Sequence, residues 1–394
     1  MTAAAIVGAG ALPVGRHSDR LEHELVLDAL LAAVQDAGVT KDLIDALVFS
    51  TPRPYTQQRY FGTFIAGYLG LPVSDLVVEV LGDGMTGGLA LDTAISRVEQ
   101  GEARVAVALG VSRELDVPTA QHMELTMRAV GDVDFHVPFG PTPIAWYAFN
   151  ATRYLHDHGA TRADLAAVAV KNREHARRNP LAQFRDPITV EDVLSSRPIV
   201  RPLHLLDVTP RSDGAAAIVV AEASLARRLR RDPVYVVGRG FHHEGVHMVS
   251  PTPRDLTWYE SAELAAAEAY EAAGVGPEDL SLAEVYAPCT IVEVILTEAL
   301  GLCAPGEGAA AAREGATRLG GRIPVSTSGG CLSRGHPPMV TPLYNAYEAV
   351  QQLRGAAGER QVPDAQLAAI TAELGDYNAT MLHVLSREPL ERWV

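Results

Sequence analysis

One histidine of the chain lies in a glycine-rich loop of a kind that can present polar groups to a ligand. The segment STSGGCLSRGHPP spans 326–338, and within it His336 directly follows Gly335. A loop between a strand and a helix N-terminus can direct an imidazole and backbone N–H groups at an oxygen that gains negative charge. A structural histidine in a tight turn is the alternative. We expect His336 to be catalytic.

Two tyrosines are further candidates. Tyr286 ends the run AEVY, a predicted strand, and its hydroxyl could hydrogen-bond a substrate oxygen or exchange a proton if its pKa fell below about 10. Tyr344 falls early in the predicted helix after the histidine loop. Its helical spacing with Val340 and Tyr347 suits ordinary packing equally well. We place Tyr286 and Tyr344 with His336 in the predicted catalytic set.

Two cysteines and one aspartate could also react. Cys289 and Cys331 are possible nucleophiles, because a thiolate beside a histidine or a helix N-terminus is reactive. Free cysteine is commonly just a buried apolar residue, and this interpretation is favoured for both. Asp83, in a Gly-Asp-Gly turn, could be a carboxylate base, although turn geometry explains it as well.

Two short motifs do not support a metal or a dinucleotide. HHEGVH (242–247) lacks a convincing fourth ligand and the helical spacing of a zinc site. GAGALPVG (8–15) lacks the third glycine of a dinucleotide-binding fingerprint. We therefore expect no metal and no covalently bound cofactor.

Composition and charge exclude several classes of protein. The chain has 394 residues, with 33 Lys and Arg against 48 Asp and Glu, for a net charge of -15. Such a charge argues against nucleic acid or an anionic membrane as the main partner. No apolar run reaches the length of about 18 residues that a membrane span needs. The three cysteines form no CxxC pair, which favours a reducing compartment. We expect a cytoplasmic protein.

The elements that must position these residues occur twice. A strand, an Ala-rich helix and a turn leading into a second strand recur in the same order with similar apolar spacing. The first set is 3–10, 25–39 and 41–50, and the second is 234–240, 261–275 and 277–288. Each half continues with a Gly-rich loop, a helix and a strand. Apolar strands alternating with helices predict an α/β fold with sheets buried between helix layers.

One long segment interrupts the repeat. Residues from about 115 to 210 are rich in His, Arg, Pro and aromatic residues, which predicts an excursion over the core. Long excursions in compact domains are often functional. We therefore divide the chain into an N-terminal half, 1–230, which contains this excursion, and a C-terminal half, 231–394.

Three segments carry a resemblance to a known family. Residues 171–221, 326–338 and 352–370 are similar to the central segment, the Gly-His-Pro loop and the following helix and strand of sterol-carrier-type thiolases. The resemblance implies a duplicated, five-layered αβαβα fold, a homodimer and a CoA thioester as substrate. It also implies that Arg185, within a basic cluster, can meet CoA phosphates, and that Gly84, Gly329, Gly330 and Gly335 line the substrate site.

The same resemblance indicates altered chemistry. It places Gly84 where the family has its nucleophilic cysteine, and residues 375–377 where it has a second one. It also places Tyr286 at an oxyanion-hole position and retains His336. An acyl-enzyme could not form on Gly84. The changes resemble steroid side-chain aldolases, which work with an OB-fold, zinc-ribbon partner, although those enzymes do not keep the Gly-His-Pro motif at 335–337.

Three functions follow from this resemblance. The first is an aldolase or retro-aldolase acting on a CoA thioester, with an OB-fold, zinc-ribbon partner. The second is an acyltransferase of altered chemistry that uses Cys289 or Cys331 or transfers the acyl group directly. The third is a non-catalytic subunit that binds acyl-CoA or lipid. We expect the first.

Overall fold

The structure, a computed structural model, describes residues 3–52, 58, 60–72, 76–129, 132–244 and 254–390. The strands of this part of the chain are β1 Ala4–Ala11, β2 Ala46–Ser50, β3 Leu76–Val80, β4 Val105–Ser112, β5 Pro198–Val200, β6 Leu203–His204, β7 Gly214–Glu222, β8 Val234–His243, β9 Leu282–Glu284, β10 Leu367–Leu374 and β11 Ala379–Ser386. The α-helices are α1 Glu22–Ala37, α2 Phe61–Leu69, α3 Thr86–Glu99, α4 Thr119–Ala129, α5 Pro143–His158, α6 Arg162–Arg177, α7 Val190–Ser195, α8 Ala223–Leu229, α9 Glu260–Ala273, α10 Thr290–Ala299, α11 Gly308–Arg313 and α12 Thr341–Leu353.

The strands repeat one order in the two halves. The main sheet runs β3-β2-β4-β7-β1-β8-β11-β10-β9. Strands β2, β3 and β4 are parallel, as are β9 and β10, whereas β7 and β11 are antiparallel to their neighbours. A single parallel bridge between Ala283 and Val325 extends the C-terminal half beyond β9, at the place that β3 takes in the other half. The two halves meet where β1 pairs with β8.

Helices cover and separate the two halves of the sheet. Helix α1 packs on β1 and β7, and α9 packs on β8 and β11. Helices α3 and α12 contact each other, and between them they contact strands of both halves. Their buried side chains, including Leu91 and Ile95 of α3 and Leu343 and Val350 of α12, share one core cluster with both sets of strands. The layers therefore alternate helix, sheet, helix pair, sheet and helix, which agrees with the predicted α/β class.

A pair of glycines explains how each outer helix approaches its strand. A Cβ on Gly8 or Gly10 of β1 would overlap carbonyl oxygens of α1, and a Cβ on Gly238 or Gly240 of β8 would overlap those of α9. Glycine in a strand marks such close backbone approach. Both halves therefore use a pair of strand glycines at the corresponding position to let the outer helix pack closely, and this shared packing explains part of the sequence repeat.

The predicted excursion is an ordered set of helices. Helices α4 to α7 and the small β5–β6 ladder fill this part of the chain. Helix α6 packs against α10, α11 and the π-helical turn Gly330–Arg334 of the histidine loop. It begins with a capping box in which Thr161 and Asp164 satisfy each other's backbone N–H groups.

Candidate active site

A cavity opens where the parallel strands of both halves end. Its volume is about 220 Å³, and loops that follow the carboxyl ends of β3, β4 and β9 contribute to its wall. Ligand sites in α/β sheets commonly form at this end of the strands. Polar groups in the lining include Asp83, Glu114, His122, Tyr286, His336 and Glu373.

Tyr286 and His336 form a hydrogen-bonded pair in this cavity. The hydroxyl oxygen of Tyr286 lies 2.7 Å from Nε2 of His336, and the two rings meet edge to face at 79°. The backbone N–H of Tyr286 donates to Thr371 at 2.8 Å, and its carbonyl accepts from the Tyr377 hydroxyl. The backbone N–H of His336 donates to Ser212 Oγ at 2.9 Å. The pair is therefore fixed by its backbone before any substrate arrives.

Gly84 lies directly beneath the tyrosine. A Cβ at this position would lie 2.7 Å from the Tyr286 hydroxyl oxygen and 2.9 Å from the carbonyl oxygen of Glu373. Both distances are shorter than real Cβ contacts, so the side chain of Tyr286 fills the space that a side chain at position 84 would need. The sequence could not show this competition, because the two residues come from different halves of the chain.

Two carboxyl groups face the cavity near the same point. Asp83 has the uncommon left-handed backbone angle φ 42°, and Glu373 lies near the end of β10. Burial, followed by the charges of Asp83 and Asp376, raises the pKa of Glu373 well above its usual value. Burial also raises the pKa of Asp376 to about 7. Burial therefore favours the protonated form of Glu373.

The excursion supplies the wall that faces these groups. Nε2 of His122, on α4, lies 2.9 Å from Oε2 of Glu114, which follows β4, and both residues line the cavity. The Tyr147 hydroxyl, on α5, donates to the carbonyl of Gly375 at 3.1 Å. Sequence reasoning missed Glu114, His122, Tyr147 and Glu373. The composition of the excursion was the only available signal for the first three.

The cysteines lie close to the pair but are buried. Cys289 lines the cavity, and burial raises the pKa of its thiol well above the ordinary value. Cys331 is also buried, which raises its pKa to about 12. Because the thiolate is the nucleophile, burial disfavours the reactive form of both thiols at neutral pH.

Tyr344 lies apart from the pair, outside the lining of this cavity. Its hydroxyl lies 2.7 Å from the carbonyl oxygen of Leu12 and accepts from the backbone N–H of Ala215 at 3.1 Å. The guanidinium of Arg334 lies over its ring, 5.4 Å from the centroid. These contacts connect α12 to β7 and to the segment after β1, so they give the residue a packing role.

The glycines of the histidine loop (326–338) pack closely against other residues of the protein. Gly329, Gly330 and Gly335 have φ angles of 97°, 56° and 111°, which favour glycine. A Cβ on Gly329 would lie 2.5 Å from the Cβ of Ala176, and one on Gly335 would lie 2.5 Å from Val14. Loop geometry and packing therefore account for these glycines. A contact with CoA stays a prediction for them and for Arg185, which is exposed and donates to the carbonyl of Arg177 at 3.3 Å.

The HHEGVH segment is described only in part. His242 and His243 lie at the end of β8 and pair with Thr380 and Ala379 of β11, whereas His247 lies outside the described residues. In the described ranges, no group of three or more His, Cys, Asp or Glu residues is arranged to hold a metal ion. No helix in these ranges is long and apolar enough to cross a membrane.

Comparison with known proteins identifies the family. The profile described as "Thiolase, N-terminal domain" matches residues 4–224, and "Thiolase C-terminal domain-like" matches residues 242–387. An acetyl-CoA acetyltransferase of Methanothermobacter thermautotrophicus is 35% identical over 97% of this chain and 99% of its own length. A steroid side-chain-cleaving aldolase of Thermomonospora curvata is 34% identical over 90% of this chain and 91% of its own.

Solved structures agree with these matches. The structure titled "Ltp2-ChsH2(DUF35) aldolase" superposes with a TM-score of 0.85 and 32% identity, covering 98% of this chain and 97% of that one. Human mitochondrial 3-ketoacyl-CoA thiolase superposes with a TM-score of 0.74 at 14% identity, covering 98% of each chain, and so supports the fold alone. The predicted thiolase-like fold is confirmed, and the chain belongs to the thiolase family of enzymes.

Proposed function

We propose that the protein is an acyl-CoA enzyme that cleaves or forms a carbon–carbon bond next to the thioester, as an aldolase, without a thiol nucleophile. The observation that carries this proposal is the position of the Tyr286 hydroxyl. It fills the space above Gly84 and hydrogen-bonds His336. Tyr286 and His336 can thus transfer a proton at position 84, where the family resemblance places the nucleophilic cysteine.

The pair can perform the first proton transfer of a retro-aldol cleavage. The substrate is a β-hydroxyacyl-CoA. Tyr286 accepts the proton of the β-hydroxyl while its own proton passes to Nε2 of His336, which becomes an imidazolium. The Cα–Cβ bond breaks, its electron pair forms the thioester enolate, and the β-carbon leaves as an aldehyde or ketone. No bond to the protein forms in this sequence.

An acyltransferase is the second candidate, and the acetyltransferase relative supports it. Transfer through an enzyme-bound acyl group needs a thiolate. Burial raises the pKa of Cys289 and Cys331, which disfavours that form of both thiols at neutral pH. This observation favours cleavage over acyl transfer.

A partner protein is part of the proposal. The solved structure with a TM-score of 0.85 is titled as an aldolase of two named components, Ltp2 and ChsH2(DUF35). We propose that this chain likewise acts with a small OB-fold, zinc-ribbon protein, as a homodimer in the cytoplasm. Copurification from the native host tests the partner, and light scattering tests the dimer.

The test of the activity measures both products. Purified protein, alone and with the partner, is incubated with a β-hydroxyacyl-CoA that has a tertiary β-carbon, and the released ketone and shortened acyl-CoA are quantified by mass spectrometry. Because positioned acid–base groups contribute about 10²–10⁴-fold, Tyr286→Phe should lower kcat by at least about 100-fold. Tyr259→Phe is the matched control. Tyr259 is also a buried tyrosine, but its hydroxyl accepts from the Asn150 amide at 3.1 Å and does not bond to Tyr286 or His336.

Two outcomes would contradict this assignment. Full turnover by the Tyr286→Phe variant would remove the tyrosine from the mechanism. An acyl adduct on Cys289 or Cys331, detected by intact mass after incubation with acyl-CoA and located by peptide mapping, would establish the acyltransferase alternative. Binding of acyl-CoA without turnover, with the partner present, would favour a non-catalytic subunit.

A further inference from the structure

We infer that Glu373 is a second catalytic acid–base group, the one that exchanges a proton with the α-carbon of the CoA thioester. This inference rests on the proposed aldolase function. The Tyr286–His336 pair serves the oxygen of the β-hydroxyl. An enolate formed by cleavage also needs a proton at its α-carbon, and another group must supply that proton.

Glu373 is placed to do so. It is 5% exposed, it lines the same cavity as Tyr286 and His336, and its Oε2 has no hydrogen-bond partner in the described part of the chain. Its carbonyl oxygen and the Tyr286 hydroxyl lie 2.9 Å and 2.7 Å from the same point, the position of a Cβ on Gly84. A buried carboxyl oxygen without a partner is costly in a folded protein, and such a group calls for an explanation.

Burial and two neighbouring carboxylates favour a proton on this carboxyl. The charges of Asp83, in the turn before α3, and Asp376, in the β10–β11 turn, raise its pKa, whereas hydrogen bonds from Tyr147 of α5 and from the backbone of Tyr377 lower it. The nearby cation, Arg254, lies 3.6 Å from Asp376 and 3.5 Å from Glu244, so it is shared between two other carboxylates. Buried like charges cannot all ionise at low cost, and one carboxyl therefore stays neutral and can act as an acid.

Other candidates in the cavity are less suitable. Glu114 and His122 are bonded to each other at 2.9 Å, and the Arg211 guanidinium donates to the carbonyl of Glu114. The Cys289 thiol holds its proton too tightly, because burial raises its pKa. Asp83 lies beside Glu373 and repels its charge, so we assign to Asp83 a supporting role, in keeping Glu373 protonated.

The completed step balances. The carboxyl proton of Glu373 passes to the α-carbon, the enolate electron pair forms the new C–H bond, and the thioester carbonyl is restored. Glu373 is left as a carboxylate and His336 as an imidazolium. The proton that His336 gained from the β-hydroxyl then returns to Glu373 through Tyr286 or water, and the enzyme is regenerated. In the direction of synthesis, the Glu373 carboxylate removes the α-proton.

The test isolates this proton transfer from carbon–carbon bond cleavage. A saturated acyl-CoA, such as propionyl-CoA, is incubated with the protein and its partner in D₂O, and deuterium at the α-carbon is measured by mass spectrometry. The wild-type protein should exchange the α-protons, because the carboxylate form of Glu373 removes a proton and the carboxyl form returns a deuteron. Glu373→Gln should lower the exchange rate by at least about 100-fold, the typical contribution of one acid–base group.

Asp207→Asn is the matched control, because Asp207 is a buried carboxylate that does not line the cavity and accepts from the Thr290 hydroxyl at 3.1 Å. Its exchange rate should stay within about threefold of the wild-type rate, a difference of less than about 0.7 kcal/mol. Binding of propionyl-CoA, measured by calorimetry, should be retained by both variants. If Glu373→Gln does not fold, Glu373→Asp is tested in its place. This variant should still slow exchange about tenfold or more, because the aspartate side chain is one methylene shorter and holds its carboxyl farther from the α-carbon.

The outcomes separate the two proposals. Exchange by Glu373→Gln at the wild-type rate, or no exchange by the wild-type protein, overturns the role of Glu373. Exchange that depends on Glu373, together with no cleavage of any β-hydroxyacyl-CoA, supports Glu373 and overturns the aldolase function. Cleavage with equal exchange in all variants supports the aldolase and overturns Glu373.

Discussion

Replacing Gly84 by alanine should show whether the Tyr286 side chain occupies the space that a side chain at position 84 would need. Gly84 lies in a 3₁₀ turn without a left-handed φ, so the backbone itself accepts alanine. Glycine to alanine at a compatible site normally stabilises a protein by about 0.4–1 kcal/mol. Here the new methyl would lie 2.7 Å from the Tyr286 hydroxyl oxygen and 2.9 Å from the Glu373 carbonyl oxygen. Overpacking of this kind costs about 1–3 kcal/mol.

The net effect of Gly84→Ala is therefore a loss of about 1–2 kcal/mol, the overpacking cost less the ordinary gain. Kinetics should show a larger effect, because moving the tyrosine breaks its 2.7 Å bond to His336. Urea denaturation measures stability, and the retro-aldol assay measures kcat. Gly67→Ala is the matched control: Gly67 lies in α2, and a Cβ there would meet no heavy atom within 4 Å, so alanine should stabilise the protein.

A double-mutant cycle tests whether the cost of Gly84→Ala comes from its contact with Tyr286. In a Tyr286→Ala background the nearest contact is gone, so Gly84→Ala should cost at least about 1 kcal/mol less than in the wild type. A Gly84→Ala protein as stable as Gly67→Ala, with unchanged kcat, would show that the tyrosine does not fill this space.

The remaining predictions concern buried polar groups. Burial raises the pKa of Asp376 to about 7, so the folded chain retains a proton that the unfolded chain releases near pH 4. The wild type should lose stability relative to Asp376→Asn as pH rises from about 4 to about 7, by up to roughly 1.4 kcal/mol per pH unit, and the difference should level off above pH 7 in urea titrations. Tyr344→Phe should cost about 1–3 kcal/mol of stability and leave kcat unchanged, whereas a lower kcat at unchanged stability would make Tyr344 catalytic. Lys171→Met should cost about 3–5 kcal/mol in the same denaturation assay, because it removes the cation 2.6 Å from the buried Glu293 and leaves that charge uncompensated.

The repeat could be predicted from the sequence because its signals are local. The predicted strand 3–10 and helix 25–39 correspond to β1 Ala4–Ala11 and α1 Glu22–Ala37, and the predicted strand 234–240 corresponds to β8 Val234–His243. Apolar periodicity and glycine placement act over a few residues, so they can be read directly. The helices of the excursion were missed because their polar, aromatic composition obscures that periodicity. The capping box of Thr161 and Asp164, which the structure shows at the start of α6, is a local signal that the sequence analysis did not use.

The candidate site was predicted in part, from motifs that are contiguous in the sequence. The resemblance placed Tyr286 and His336 in the predicted catalytic set, and the structure brings the two side chains together in one hydrogen bond. It leaves Tyr344 elsewhere, since helical position alone does not reveal which side of α12 faces the cavity. Glu373 could not be found from sequence. Its chemistry depends on burial and on Asp83, which is distant in the chain.

The overlap of positions 84 and 286 restricts the order in which such a site can evolve. A thiol at 84 and a phenol at 286 exclude each other on this backbone, so a lineage that changed from one to the other could not pass through a protein carrying both. The accessible intermediate has glycine at 84 and a small residue at 286, which leaves a void but no clash. In sequence comparisons, the two positions should therefore covary, and the pair should distinguish tyrosine-based from thiol-based members better than either residue does alone.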